Sequence, residues 1–189
     1  MARLLVDERR EQLVALGLEH FGRKAYDEVS VDHIADAAGI SKGLLYHYFP
    51  TKRAYYVACV ERAAADLVAA CTEAIPTNLP PLEQLDRGIT AYLEYVRAHD
   101  VAYANLMIRG VAFPEVARIV DETRQALIDD LLAGMQTAVK LTPMLRIAMR
   151  GWVGFAETAT LEWAREKTRI SVVKMRDLLK SALFAILSM

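Results

Sequence analysis

The chain is poor in the residues on which several classes of protein depend. Only 9 glycines and 6 prolines occur among its 189 residues, a composition that argues against fibrous and disordered proteins. Its two cysteines, Cys59 and Cys71, share one predicted helix. Twelve residues of helix separate them by about 18 Å, whereas a disulfide requires Cα atoms within about 7 Å. We therefore expect two buried thiols with no disulfide between them, as is typical of a cytoplasmic protein.

The sequence also lacks a long apolar run and a large net charge. Residues 4–6 are apolar but are followed at once by charged residues, so neither a secretory signal nor a membrane-spanning helix is expected. The formal net charge of −1 excludes a generally basic, histone-like DNA binder, and any positive field must be local. Hydrophobic residues make up 54% and charged residues 25% of the chain, which is typical of an α-helical soluble protein of one or two domains.

Residues 30–52, SVDHIADAAGISKGLLYHYFPTK, have the pattern of two short helices followed by the start of a longer one. Ser30 and Ser41 are suited to N-caps, because their hydroxyls can accept a free N–H of the first turn. Gly39 favours a sharp end to the first helix, and Pro50 ends the second. Two short helices joined at a glycine are typical of a helix-turn-helix, here at residues 30–49. The alternative is an αα-corner with no nucleic-acid partner.

Three features favour DNA over the plain corner. Residues 37–60 include no acidic residue, whereas Lys42, His47 and Lys52 lie on or beside the second helix. The apolar face of that helix is short, so much of its surface stays outside the protein. Gly43 in its first turn costs about 1 kcal/mol relative to alanine, and close approach of the backbone to an external molecule would explain this cost.

Residues 9–53 resemble the N-terminal domain of the tetracycline-repressor (TetR) family of bacterial transcription regulators. The resemblance implies an all-α protein of about nine helices, with a helix-turn-helix DNA-binding domain at residues 1–52 and an effector-binding and dimerisation domain at 53–189. It further implies a repressor that a small hydrophobic effector releases from a palindromic DNA operator. The matching motifs are Phe21-Gly22 with Tyr26, Ile34-Ala35, Ala38-Gly39-Ile40-Ser41, Leu45-Tyr46, Tyr48-Phe49 and Lys52.

The residue pattern and the resemblance together predict how the second helix contacts DNA. Lys42 and Gly43 form its positive N-terminal end, and one of the two tyrosines in this helix packs within the domain rather than touching DNA. By resemblance, Ser30 and Lys52 contact phosphates, which position the protein without reading the sequence. The predicted DNA contacts are Ser30, Ser41, Lys42, Gly43, Leu44, Tyr46, His47, Tyr48 and Lys52.

Two residues of this motif work against the expected DNA contacts. Leu44 stands where many family members have a small polar residue, and it can contact a thymine methyl group but cannot hydrogen-bond a base. Asp32, in the first turn of the preceding helix, adds local repulsion toward phosphate.

The last two predicted helices, residues 143–166 and 171–187, are apolar over a wider arc than one neighbour requires. In the first of them the apolar arc is roughly 200° at about 100° per residue, whereas packing on one neighbour needs a little over 100°. Gly151 and Gly154 also suggest close packing of backbones. We predict a homodimer, as the resemblance implies for the last two helices, and the alternative is a helix buried within its own monomer. The predicted interface residues are Met149, Trp152, Val153, Ala156, Leu179, Leu183 and Ile186.

The middle helices contain more aromatic and sulfur side chains than a small bundle requires. Rigid rings alternating with alanine leave gaps between helices, which are typical of a pocket for an apolar ligand. For any single residue, the alternative is plain core. No cluster of basic residues lies on the inferred inner faces, so an uncharged or weakly acidic hydrophobic effector is expected rather than a sugar phosphate or nucleotide. The predicted contacts are Tyr92, Tyr103, Met107, Arg109, Phe113, Trp152 and Phe155.

Sequence motifs for catalysis are absent. The sequence contains no histidine pair flanking a glutamate at helical spacing, no glycine-rich phosphate loop and no nucleophile elbow. We expect neither an enzyme nor a bound metal or cofactor. A helical adaptor for protein partners is the remaining alternative. It would need the same apolar surfaces as a dimer but not an acid-free second helix containing Gly43.

Overall fold

The structure is a computed structural model in which residues 2–76, 78–108, 113–134, 142–166 and 170–188 are described. Within these ranges the chain forms helices and no strand, and the predicted all-α fold with nine helices is confirmed. No helix in the described ranges is long and apolar enough to cross a membrane. The helices are α1 (Ala2–Arg23), α2 (Val31–Ala37), α3 (Lys42–Tyr48), α4 (Lys52–Glu73), α5 (Pro81–Ala98), α6 (Asp100–Tyr103), α7 (Pro114–Gly134), α8 (Pro143–Arg165) and α9 (Val172–Leu187).

Several of the helices begin at a serine or threonine N-cap, and the caps predicted at Ser30 and Ser41 are confirmed. The hydroxyls of Ser30, Ser41, Thr51 and Ser171 accept the backbone N–H three residues later at 3.4, 3.2, 3.0 and 3.3 Å. The Thr142 hydroxyl does the same at the start of α8, with a distance of 3.1 Å. Each cap satisfies a backbone donor that the first helical turn leaves unpaired, and so the starts of these helices follow from local sequence.

Apolar spacing in the sequence predicts a first helix from about Val6, a short helix over residues 101–108 and a further helix over residues 114–138, and the observed helices differ from these in extent. The first helix begins at Ala2 rather than Val6. The short helix predicted at residues 101–108 is divided into α6 and a π-helical turn, Ala104–Ile108. The helix predicted at residues 114–138 is described as far as Gly134, and its last predicted residues lie outside the described ranges.

Packing divides the chain into two compact units. Unit 1 comprises residues 1–65 and 101–120, and unit 2 comprises residues 66–100 and 121–189. The boundary at residues 52 and 53 was predicted for functional domains, and it stays a prediction.

In unit 1, α1 packs closely on α4. A Cβ atom at Gly17 would lie 2.4 Å from the Sγ of Cys59 and 2.8 Å from the Tyr55 ring, so this contact requires glycine. Residues 101–120 join the same unit, because the Asn105 amide donates to the Gly22 carbonyl at 3.0 Å. The Tyr56 hydroxyl donates to the Asn105 carbonyl at 3.2 Å.

In unit 2, α5, α8 and α9 pack on one another around a buried apolar core. The indole N–H of Trp152 donates to the Leu179 carbonyl at 2.9 Å and joins α8 to α9. Arg124 of α7 donates to both carboxylate oxygens of Glu157 at 2.8 Å, the two-bond geometry that an arginine–carboxylate pair favours.

The two cysteines are buried free thiols, as expected. Burial raises the pKa of Cys71 to about 12, and it raises the pKa of Cys59 as well. Both thiols are therefore protonated at neutral pH, and the thiolate, which is the reactive form, is scarce.

Candidate nucleic-acid interface

The turn between α2 and α3 has the geometry that the sequence predicts. Gly39 has a φ of 64°, a conformation that glycine adopts at little cost. The Ile40 N–H donates to the Ala35 carbonyl at 3.0 Å. This is the hydrogen bond of a Schellman cap that spans six residues. Gly39 therefore ends α2 sharply, and α3 begins two residues after Ile40.

One side of α3 is buried and the other is exposed. Leu45 is fully buried and Phe49 nearly so, and the Phe49 ring stacks on Tyr55 with 4.5 Å between ring centroids. Leu44 remains 41% exposed, although burial would be expected of a leucine that served only the core. Tyr46 and Tyr48 are half-buried, and the exposed residues from the start of α3 are Ser41, Lys42, Gly43, Leu44 and His47.

Gly43 has open space around it. A Cβ atom at this position would have only the Ser41 hydroxyl within 4 Å, at 3.9 Å. Packing within the unit therefore does not require glycine here, in contrast to Gly17. The cost in helix stability, about 1 kcal/mol relative to alanine, has no compensation inside the described part of the chain.

Asp32 lies against the first turn of α3. Its Oδ2 accepts a hydrogen bond from the Lys42 ammonium at 2.9 Å, and both side chains are about half exposed. This hydrogen bond, together with the negative charge of Asp32, raises the pKa of Lys42. Although positions 37–60 contain no acidic residue, the folded chain thus places an acidic side chain beside α3. Sequence reasoning expected Asp32 to repel phosphate but did not pair it with Lys42.

The two predicted phosphate contacts already have partners within unit 1. The Lys52 ammonium lies 4.4 Å from the centroid of the Tyr26 ring, within the range of a cation–π interaction. The Ser30 hydroxyl serves as the cap of α2. Both groups can still donate to a phosphate. The ammonium has three N–H donors, and the hydroxyl keeps its own O–H donor while its oxygen accepts the cap hydrogen bond.

The residues predicted to bind an effector belong to both units. Tyr103 and Met107 are buried in unit 1, where the Phe113 ring lies 4.9 Å from that of Tyr26. Trp152 belongs to the core of unit 2 and Tyr92 packs against that core, whereas Phe155 is 41% exposed on the same unit. Arg109 lies outside the described residues.

The seven predicted dimer residues lie in the core of unit 2. Six of them are no more than 9% exposed, and Ile186 packs against them. The exposed sides of the same helices hold other apolar residues, which the helical wheel did not assign to the interface. These are Met144, Ile147 and Phe155 of α8 and Val173, Leu178 and Phe184 of α9, each at least 40% exposed.

A helix-turn-helix whose second helix leaves one side exposed has the geometry of the helix-turn-helix class of DNA-binding proteins. Two family models agree with this class. The model "Bacterial regulatory proteins, tetR family" matches residues 13–59, and "Tetracyclin repressor-like, C-terminal domain" matches residues 81–186, more than half of the chain. The chain therefore belongs to the TetR family of bacterial transcriptional regulators.

Similar proteins include both activators and repressors. The HTH-type transcriptional activator FasR of Mycolicibacterium smegmatis is 33% identical over 129 residues, covering 67% of this chain and 58% of FasR. The HTH-type transcriptional repressor KstR2 of Mycobacterium tuberculosis is 28% identical over 123 residues, covering 64% and 62%. The matched part of the chain thus spans less than two thirds of either relative.

Solved structures have the same fold. A tetR-family transcriptional regulator from Streptomyces coelicolor superposes with a TM-score of 0.79 at 33% sequence identity, covering 95% of this chain and 79% of that one. The TetR resemblance of residues 9–53 therefore extends to the helices that follow.

Proposed function

We propose that this chain represses transcription by binding a palindromic DNA operator as a homodimer, and that a small hydrophobic effector releases it. The observation that supports DNA binding most directly is the open space around Gly43. Glycine at an exposed position lowers the stability of a helix, and here no packing within the described part of the chain offsets this loss. Close approach of α3 to a DNA backbone or base edge would offset it. As a regulator of bacterial genes it would act in the cytoplasm.

The exposed side of α3 has the chemistry to bind the major groove. Lys42 and His47 supply donors for base edges or phosphates, and Leu44 supplies an apolar contact for a thymine methyl group. An adaptor that binds protein partners would not require glycine beside these residues. Relatives named as repressors and as activators both match, and we favour repression because the resemblance to the tetracycline repressor implies it.

Lys52→Ala should weaken binding to operator and random DNA alike. One phosphate contact fewer lowers the slope of log affinity against log salt by about one unit. The measurement is a salt titration of binding by fluorescence anisotropy, with thermal unfolding to confirm that loss of the contact with Tyr26 leaves the unit folded. Lys24→Ala removes the same charge from an exposed position outside the predicted contacts. An unchanged slope in Lys52→Ala would remove this residue from the interface.

A second copy of the chain is the proposed occupant of the exposed apolar side of α8 and α9. Met144, Ile147 and Phe155 recur at helical spacing on α8, and a Cβ atom at Gly151 or Gly154 would meet nothing within 4 Å. The close packing that these glycines suggest is thus not made within the described chain. An identical helix can approach closely at such small residues, and its own apolar stripe would cover the exposed side chains.

The seven core residues predicted from the sequence would support this surface from behind. Leu179 and Leu183 are fully buried, so they hold α9 against α5 and α8 rather than contact a partner. Phe155 was predicted for the effector, and its exposure fits the dimer surface better.

The effector proposal rests on buried rings and on one buried hydroxyl. Trp152 lies in the core of unit 2, and the partly buried Tyr92 packs against that core. Thr160 of α8 is fully buried, and its hydroxyl has no hydrogen-bond partner among the described residues. An unpaired buried hydroxyl is costly, and a mainly apolar ligand with one neutral polar group would satisfy it. Such a ligand can release DNA only if it binds the DNA-free conformation more tightly.

Hydrophobic compounds should change tryptophan fluorescence and release labelled operator over the same concentration range, whereas a sugar phosphate should do neither. Thr160→Val keeps the side-chain volume but removes the hydroxyl. It should weaken binding of a polar-headed compound while leaving a pure hydrocarbon unaffected. Submicromolar binding of a compound without any change in DNA affinity would contradict the regulatory mechanism. It would show only that the chain has a ligand pocket.

A further inference from the structure

The pair formed by Asp32 and Lys42 lies beside the proposed DNA-binding side of α3. Asp32 occupies the first turn of α2 and Lys42 the first turn of α3, and 2.9 Å separates the carboxylate oxygen from the ammonium. Exposed pairs of this kind contribute little to folding. Its position next to Gly43 and Leu44 suggests a role other than stability.

The pair changes what Lys42 offers to a nucleic acid. Non-specific binding comes from free cations that neutralise phosphates and release condensed counterions. A lysine already neutralised by a carboxylate releases few of them. Asp32 adds repulsion of its own toward a nearby phosphate. In the free protein, Lys42 is therefore a poor phosphate ligand despite its exposure.

The same hydrogen bond fixes the direction of the ammonium. A lysine side chain is flexible and has three N–H donors, and Asp32 occupies one of them while limiting the side chain to few conformers. The two remaining donors match the O6 and N7 acceptors that guanine presents in the major groove. A fixed donor loses less conformational entropy on binding than a free one.

We infer that Asp32 is a specificity-determining residue, because it positions Lys42 as a contact for guanine and suppresses its binding to phosphates of random DNA. The inference rests on the proposed function, since it requires that α3 enters the major groove. Asp32 acts through Lys42 and need not touch DNA itself.

The decisive variant is Asp32→Asn, which keeps the side-chain shape and removes the charge. Freed from the pair, Lys42 should contact a phosphate. Affinity for random-sequence DNA should then rise by about five- to tenfold at 0.1 M salt, with about one unit more salt dependence. Operator affinity should stay equal or fall, so that the ratio of operator to random affinity drops by about tenfold. Substitution of single guanines by 7-deazaguanine, which lacks the N7 acceptor, should lower operator affinity at the contacted base. Inosine is not suitable, because it keeps both O6 and N7.

Asp36→Asn is the matched control, because Asp36 is an exposed carboxylate on the same helix and the net charge changes equally. Lys42→Met in the Asp32→Asn background should abolish the gain on random DNA. Equal effects of Asp32→Asn and Asp36→Asn, or a gain that persists without Lys42, would overturn the inference while leaving DNA binding by α3 intact. If the wild-type chain binds no operator, the proposed function fails and this inference fails with it.

Discussion

Ile147→Glu combined with Phe155→Glu should convert the proposed dimer into a folded monomer and weaken operator binding by at least about a hundredfold. Both side chains are exposed on unit 2, at 69% and 41%, so the monomer can accommodate glutamate at little cost. In a dimer, the same charges would be buried without partners, at a cost of several kcal/mol each. A monomer also loses the second half-site, which supplies much of the affinity for a palindrome.

Two control variants separate association from folding. Leu82→Glu changes a residue of α5 that is 62% exposed and should leave the dimer intact. Leu183→Glu places a charge in the core, where the leucine is fully buried, and should unfold the chain. Sedimentation and circular dichroism report the two effects independently. A wild-type monomer at micromolar concentration, or a double variant that remains dimeric, would contradict the proposed surface.

Gly43→Leu should preserve the fold and weaken operator binding by at least about tenfold. Open space surrounds the Cβ position, and leucine favours helix over glycine by up to about 1 kcal/mol, so the melting temperature should stay equal or rise. The added side chain would separate α3 from the DNA and break base contacts that contribute about 1–3 kcal/mol each.

Gly17→Ala should have the opposite effects: it should destabilise the fold and leave the affinity for the operator unchanged. Its Cβ atom would lie 2.4 Å from the Sγ of Cys59, and overpacking of this kind costs about 1–3 kcal/mol of stability. The folded fraction should bind operator normally. Thermal unfolding and anisotropy distinguish the two glycines, and normal DNA affinity in Gly43→Leu would show that DNA does not approach α3 at this position.

Local signals in the sequence were sufficient to predict the helix-turn-helix. The caps formed by Ser30 and Ser41 and the positive φ of Gly39 depend only on residues within one helical turn. A local cap likewise places the start of α9 directly after Ser171. Such features need no knowledge of which helices pack together.

Features that depend on long-range packing could not be predicted in the same way. A helical wheel gives the angles between side chains on α8 but not which side faces its own core. It indicated a broad apolar arc but not that Met149 is buried and Ile147 exposed. The Asp32–Lys42 pair depends on how α2 crosses α3. The inclusion of residues 101–120 in unit 1 depends on Asn105 reaching Gly22, a contact between residues distant in sequence.

The central claim is sequence-specific binding of DNA by a dimer of this chain. Selection of bound duplexes from a random-sequence pool tests it most directly, followed by determination of the protein-to-DNA ratio on the enriched sequence. We expect one palindromic sequence, with half-sites centred about 34–36 Å apart or somewhat more, bound by a dimer and lost with Gly43→Leu. A pool that remains random after repeated selection, or an enriched sequence without symmetry that a single chain binds, would contradict the claim.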